Sequence, residues 1–234
     1  MSAHLLAIDL GTGSCRAVLF AEDGRQVAIG QREWSHAALP GFPGSQVFDT
    51  ERNWRLICEC VREAIASAGI SPREIAAVSS TSMREGMVLY DAAGREIWAC
   101  PNVDSRAGDE AAELVRSGQA RTLFETGGDW VPITAPARFR WIRAHQPEVY
   151  DAIAHVGMLS DWVLYRLTGR FVTDPSAGSS SDLFDLRART WSPALVELVG
   201  LPTDIVPDVL EPGDRKSTRL NSSHSRASRM PSSA

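Results

Sequence analysis

An α/β fold is what this sequence predicts, and the order of its apolar patterns is the reason. Three strand-like runs open the chain, one long run of helical period follows, and strand-like and helical runs then mix. The opening runs, at 5–9, 16–20 and 26–34, are joined by a turn through Gly11 and Gly13 and by Glu22-Asp23-Gly24, the pattern of an antiparallel meander.

The helix is expected from Asp49 to Ala68. Trp54, Ile57, Cys58, Val61, Ala64, Ile65 and Ala68 recur at three- and four-residue steps, and Gly69 supplies the stop. IAAVSS at 75–80 predicts a short buried strand, and MVLYD at 87–91 another, turning through DAAG into a hairpin partner REIWAC. Further helices are expected over 105–117, 135–145 and 160–168, and no internal repeat is present. Three antiparallel strands, a helix, a strand and further α/β units is the order of the ribonuclease H-like/actin-like ATPase fold. In that fold the first hairpin faces nucleotide phosphates, although a fold by itself gives no function.

Composition narrows the classes. At 234 residues, 44% hydrophobic and 23% charged, the chain is ordinary globular protein. It has no continuous apolar stretch of membrane-spanning length and no basic segment leading into an apolar core, so a cytoplasmic protein is expected, with no membrane partner. The four cysteines form no CxxC pair, and reduced thiols are the plain reading. Net charge is −5; residues 214–234 hold five basic side chains and one acidic, so the first 213 carry −9. An acidic body disfavours a nucleic-acid surface but leaves room for a nucleotide pocket with a few local donors.

Residues 214–234, DRKSTRLNSSHSRASRMPSSA, are a different kind of sequence: rich in Ser and Arg, with almost no apolar residues and no period. Such a segment cannot offset its chain entropy by burial, so disorder is expected. A basic regulatory tail is one reading; the preferred one is non-native sequence of the kind translated from adaptor or vector DNA. The expected domain organisation is therefore 1–213, incomplete at its end, followed by this tail.

Four constellations could carry chemistry. The first is Asp9 with Gly11, Thr12, Gly13, Ser14 and Arg16. The glycines let backbone N–H groups approach an anion, the hydroxyls can donate to phosphate oxygens, and Arg16 can neutralise phosphoryl charge. Asp9 is expected to end a buried strand, a costly place for a carboxylate that a hydrated Mg2+ would satisfy. An Asp capping an ordinary hairpin explains the same residues equally well. The second is Arg84-Glu85 between two strands, where a donor fork and an acceptor suit a polyol; a surface salt bridge is the plainer alternative. The third is Asn102, Asp104 and Arg106, as sugar ligands or with Asp104 or Ser105 as a helix cap. The fourth, 160–185, has a largely core character, and its Thr173-Asp174-Pro175-Ser176 turn can be purely structural. The histidines have no evident partners, and zinc spacing, GxGxxG and GxxxxGK[ST] are all missing.

In this order the four stretches resemble the FGGY family of carbohydrate kinases, over about Leu5 to Gly213. AIDLGTGSCRAVLF resembles its phosphate hairpin, SMREGMVLYD its first substrate segment, and NVDSRA and SDWVLYRLTG…TDPSAGSSSDLFDL its later markers. The resemblance implies transfer of the ATP γ-phosphoryl group, with Mg2+, to a hydroxyl of a small polyhydroxy carbonyl compound. VFDT-x-x-NW, CEC, SMREG and IWACPNVDSRA resemble the branch that would act on linear dihydroxypentanedione. By position, Asp9 would lie at the metal and phosphates, and Gly11, Thr12, Gly13 and Ser14 would shape the cofactor hairpin. Arg16 would reach the γ-phosphate, and Arg84, Glu85, Asn102 and Asp104 would line the substrate cleft. The chain departs from the family at Asn102, where polyol kinases often carry an aromatic. The family's general-base Asp sits in a Gly-rich segment not found in this chain, and neither Asp208 nor Asp214 stands in one. The resemblance thus implies an amino-terminal domain lacking its base and its carboxy-terminal nucleotide-binding domain, and inactive alone. A xylulose- or glycerol-type kinase, a non-catalytic sugar-binding module and a hairpin that binds nothing remain the alternatives.

Overall fold

The structure, a computed structural model, describes residues 3–128 and 134–212. The segment 214–234 and the expected boundary at 213 lie outside the described residues. In chain order the first half contains β1 (His4–Leu10), β2 (Ser14–Ala21), β3 (Gln26–Glu33), α1 (Thr50–Ala68), β4 (Ile75–Ser82), β5 (Met87–Tyr90), β6 (Glu96–Cys100), α2 (Gly108–Arg116) and α3 (Gln119–Gly127). The second half contains α4 (Ala135–His145), α5 (Pro147–Asp151), β7 (His155–Met158), α6 (Leu159–Thr168), β8 (Val172–Thr173) and α7 (Pro175–Ser179). Two further two-residue strands, β9 (Phe184–Asp185) and β10 (Thr190–Trp191), then α8 (Pro193–Leu198) and β11 (Asp208–Val209), complete it.

The first sheet has the order β3-β2-β1-β4, with the meander antiparallel and β4 parallel to β1. Two-residue alternation decides its faces. Leu6, Ile8 and Leu10 of β1 and Cys15, Ala17 and Leu19 of β2 are buried in one cluster with Ile57, Cys60, Val61 and Ala64 of α1. The intervening residues, Asp9 and Arg16 among them, project from the opposite face. The Asp49 carboxylate caps α1 by accepting from Arg52 N at 2.9 Å, and Gly69, at φ 65°, ends it. Gly30 lets β3 lie against the α1 backbone: a Cβ there would overlap the carbonyl of Cys60.

β5 divides two cores. Its four residues are all buried, Met87 and Leu89 facing the cluster of α2, α3, α4 and α8, Val88 and Tyr90 facing that of the first sheet, α1 and α6. It pairs antiparallel with β6 and β7 to form the second sheet.

Two expectations need correction. The strand at 75–80 extends to Ser82 and is not buried: Ala76 to Ser79 are all exposed, because β4 is the edge of its sheet among the described residues. The helix expected over 105–117 begins only at Gly108 and is followed, after Gly118 at φ 80°, by α3, which the pattern did not suggest. Neither Asp104 nor Ser105 caps it; Ala107 occupies the cap, because the Asp104 carboxylate turns inward to Arg106. Gly30→Ala is expected to cost about 1–3 kcal/mol through forced separation of β3 and α1. Urea unfolding would show it as a lower midpoint at unchanged slope.

Candidate functional site

The tight turn between β1 and β2 is anchored by Trp34 and His36, from the segment that follows β3. Gly11 N donates to Ser14 O at 2.8 Å and closes the turn. The Trp34 indole N–H reaches the carbonyls of both Gly11 and Thr12 at 3.1 Å, Trp34 N donates to Gly13 O at 3.1 Å, and His36 Nε2 lies 3.0 Å from Thr12 O. Burial against the hairpin lowers the His36 pKa, favouring the neutral ring. The turn's carbonyls are thus engaged internally, as is the Gly11 amide, so what the turn can offer an anion is its remaining backbone amides. Gly13 has neither a positive φ nor any atom within 4 Å of a Cβ built on it, so the fold does not require glycine there.

Asp9 and Arg16 face each other across the β1–β2 pair, 3.7 Å apart, each roughly half exposed. The expectation of a desolvated Asp9 is therefore corrected: solvent and the Arg16 guanidinium, which also donates to Gln31 Oε1 at 3.1 Å, already satisfy it. The Thr12 hydroxyl donates to Asn102 Oδ1 at 3.1 Å, joining the hairpin to the third constellation, ninety residues away.

Arg84 and Glu85 follow β4, whose end is tied to β1 by Met83 N donating to Leu10 O. Their side chains are 3.4 Å apart; Arg84 is exposed and Glu85 mostly covered, at a positive φ of 59°. Asp104 is fully buried. Its carboxylate accepts from Gln46 N at 3.1 Å and from Arg106, whose Nη2 lies 2.5 Å away. The Arg106 guanidinium is stacked between Trp98 and Trp141, at 5.2 and 5.0 Å from their ring centres. The Asp104 carboxylate is thus engaged inside the protein.

The sequence reading missed Arg138. It is 1% exposed, on α4, and its guanidinium donates to the carbonyls of Glu85, of Pro101 at 3.1 Å and of Asp104 at 3.3 Å. One buried cation therefore holds both substrate-candidate loops. No sequence signal set it apart: α4 carries three arginines, Arg138, Arg140 and Arg143, and only the fold shows which of them is buried.

Beside Arg84 opens a pocket of about 80 Å³, lined by Ser80, Ser82, Ser160, Asp174 and Ser176 among others. The 173–176 turn accordingly borders the cleft, with Asp174 capping α7 through Ser176 N and Ala177 N. Behind it, burial pushes the Asp161 carboxyl up to about 7, against the hydrogen bond it accepts from Met158 N at 2.9 Å.

Known proteins match this arrangement. The model of the FGGY family of carbohydrate kinases, N-terminal domain, matches residues 4–231. The chain belongs to that family. Autoinducer-2 kinase of Escherichia coli strain K12 is 45% identical over 213 residues, 90% of this chain and 40% of that protein. The Salmonella typhimurium protein of the same description is 43% identical with the same coverage. Among solved structures, xylulose kinase from Rhodospirillum rubrum superposes with a TM-score of 0.79 at 26% identity, covering 88% of this chain and 42% of that one. Gluconate kinase from Lactobacillus acidophilus gives 0.79 at 20% identity, covering 91% and 42%, and shows the shared fold. The FGGY domain described here thus spans 40% of the length of its curated relatives. No helix among its described residues is long and apolar enough to cross a membrane.

Two outcomes follow from this geometry. Arg138→Met strands three inward-facing carbonyls and is expected to cost about 3–5 kcal/mol in chemical unfolding. Asp161 gives a pH signature: its folded pKa of about 7 lies above its unfolded value, so its contribution is full in acid and lost as pH rises towards 7. Asp161→Asn, neutral and still able to accept from Met158 N, is expected to remove that decline, read as unfolding free energy between pH 4 and 8.

Proposed function

We propose that this domain holds ATP phosphates at the Gly11–Ser14 hairpin and a small polyhydroxy carbonyl compound at Arg84, Glu85 and Asn102, as one half of a phosphotransferase with an alcohol acceptor. The observation that carries the reading is the open space at Gly13. A glycine there answers no demand of the fold, and it stands on a turn whose carbonyls are turned inward. Ser14 adds a hydroxyl, the Thr12 hydroxyl would have to leave Asn102 Oδ1 to donate, and Arg16, half exposed beside Asp9, can reach the γ-phosphate. Asp104 acts from behind, fixing through Arg106 and Gln46 the loop that presents Asn102.

Kinases of this family use ATP and a divalent metal. The residues present fit Mg2+, because a partly exposed carboxylate at Asp9 among hydroxyl donors suits a cation that keeps several waters and shares phosphate oxygens. Bound there, the ion would offset charge on the transferring phosphoryl group. This chain's own part is to position: the hairpin fixes the phosphates, and Glu85 and Asn102 orient the acceptor hydroxyl. The base that receives its proton is proposed to lie outside the chain, in the portion that only the longer relatives span.

Linear dihydroxypentanedione is the proposed acceptor, which would make the whole protein a cytoplasmic autoinducer-2 kinase in quorum-sensing signal processing. The likeness to autoinducer-2 kinases at 45% identity supports this acceptor over xylulose or glycerol. Titration of the chain with ATP and Mg2+ should raise its melting temperature, the stabilisation growing as the logarithm of one plus free ligand over Kd. Gly13→Val should leave the apo melting temperature unchanged and weaken ATP binding at least about tenfold, a loss near 1.4 kcal/mol. Equal ATP affinity in both proteins would remove the hairpin from the site. ADP release by this chain with dihydroxypentanedione is expected to stay at background; normal turnover would place the base within it.

A further inference from the structure

Directly under the hairpin, two thiols from distant parts of the chain touch. Cys15 lies on β2 between Ser14 and Arg16, Cys60 on the inner face of α1, and their sulfurs are 3.6 Å apart. Both are fully buried. Their approach is enforced from several sides. Gly30 brings the sheet backbone against the Cys60 carbonyl, and Arg32, opposite Cys15 in the β2–β3 register, pairs with Glu59 at 3.2 Å and with Glu63, on either side of Cys60.

We propose that Cys15 and Cys60 are a redox modification site, forming a reversible disulfide with hydrogen peroxide as oxidant. A disulfide bond is ~2.05 Å long, so the sulfurs need to close by roughly 1.5 Å. The Cys60 thiolate attacks one peroxide oxygen, breaks the O–O bond and expels hydroxide, which takes up the proton Cys60 gave. The Cys15 thiol then displaces the sulfenic oxygen of Cys60 as a second water. Two thiols have lost two electrons, and one peroxide has become two waters.

The local chemistry supports this division of roles. The sulfur contact and the Arg32 charge lower the Cys60 pKa against its burial and the Glu63 and Glu59 charges, while the same contact and burial raise that of Cys15; in the thiol form Cys60 also donates to the Cys15 carbonyl at 3.7 Å. Cys58 and Cys100 are also buried, but desolvation raises both, Cys100 to about 11. The burial of the pair makes reaction depend on opening between α1 and the sheet, so oxidation is expected to be slower than for an exposed thiol.

The test needs no nucleotide and stands apart from the phosphate reading. The wild-type chain is treated with hydrogen peroxide, its remaining thiols are alkylated, and it is digested without reductant. The expected result is a Cys15–Cys60 linked peptide and, before alkylation, an intact mass lower by about 2 Da, both reversed by dithiothreitol. Cys15→Ser should instead trap Cys60 as a dimedone-reactive sulfenic acid, and Cys58→Ser should leave the linked peptide unchanged. Four alkylated thiols after treatment, or linkage through Cys58 or Cys100, would overturn the proposal even if every variant failed to fold.

Discussion

A single buried guanidinium sets the terms for the site. Arg138 reaches from α4 to the carbonyls of Glu85, Pro101 and Asp104, and so joins the loop after β4 to the loop after β6. A cation buried to this extent needs fixed acceptors, and its Nη1 and Nη2 find them on the backbone, although its buried Nε has no hydrogen-bond partner among the described residues. The consequence is geometric. Neither loop can shift without stranding a charge, so Glu85 and Asn102 are presented at fixed separation before any ligand arrives. Arg106 is held in a related way, by the Asp104 carboxylate, the Gln46 carbonyl and two tryptophan rings.

The hairpin is fixed by different means. Its carbonyls are gathered by Trp34 and His36, and its flank rests on a sheet packed tightly enough against α1 that Gly30 admits no side chain. The two systems belong to different cores, separated by β5, and they meet at the Thr12–Asn102 hydrogen bond. One exposed hydrogen bond contributes little stability by itself. Its importance is that two rigid halves, each built for other reasons, bring a donor-rich turn next to a polar loop.

Much of the fold was legible because its signals are local. The meander follows from period-two runs and glycine turns, and α1 from a three-and-four-residue period with Asp49 and Gly69 as caps. The exposure of β4 was not legible, since an apolar run does not say whether another strand lies beside it. The hairpin residues were readable as a set because they are contiguous. Arg138, Trp34 and the Cys15–Cys60 contact were not, because each works through partners tens of residues away. Asp104 shows the same limit from the other side: its pattern suggested an open ligand, whereas Gln46 and Arg106 occupy its oxygens.

The claim on which the account rests is that the β1–β2 turn cradles phosphate. Backbone amide chemical shifts of the isotopically labelled chain, followed while ATP and Mg2+ are added, address it residue by residue. The account predicts saturable shifts centred on the amides of Gly11 to Ser14, extending to Arg16 and Asn102 and leaving α3 and α8 unmoved. Saturable shifts confined to other elements, or none at millimolar nucleotide, would contradict it.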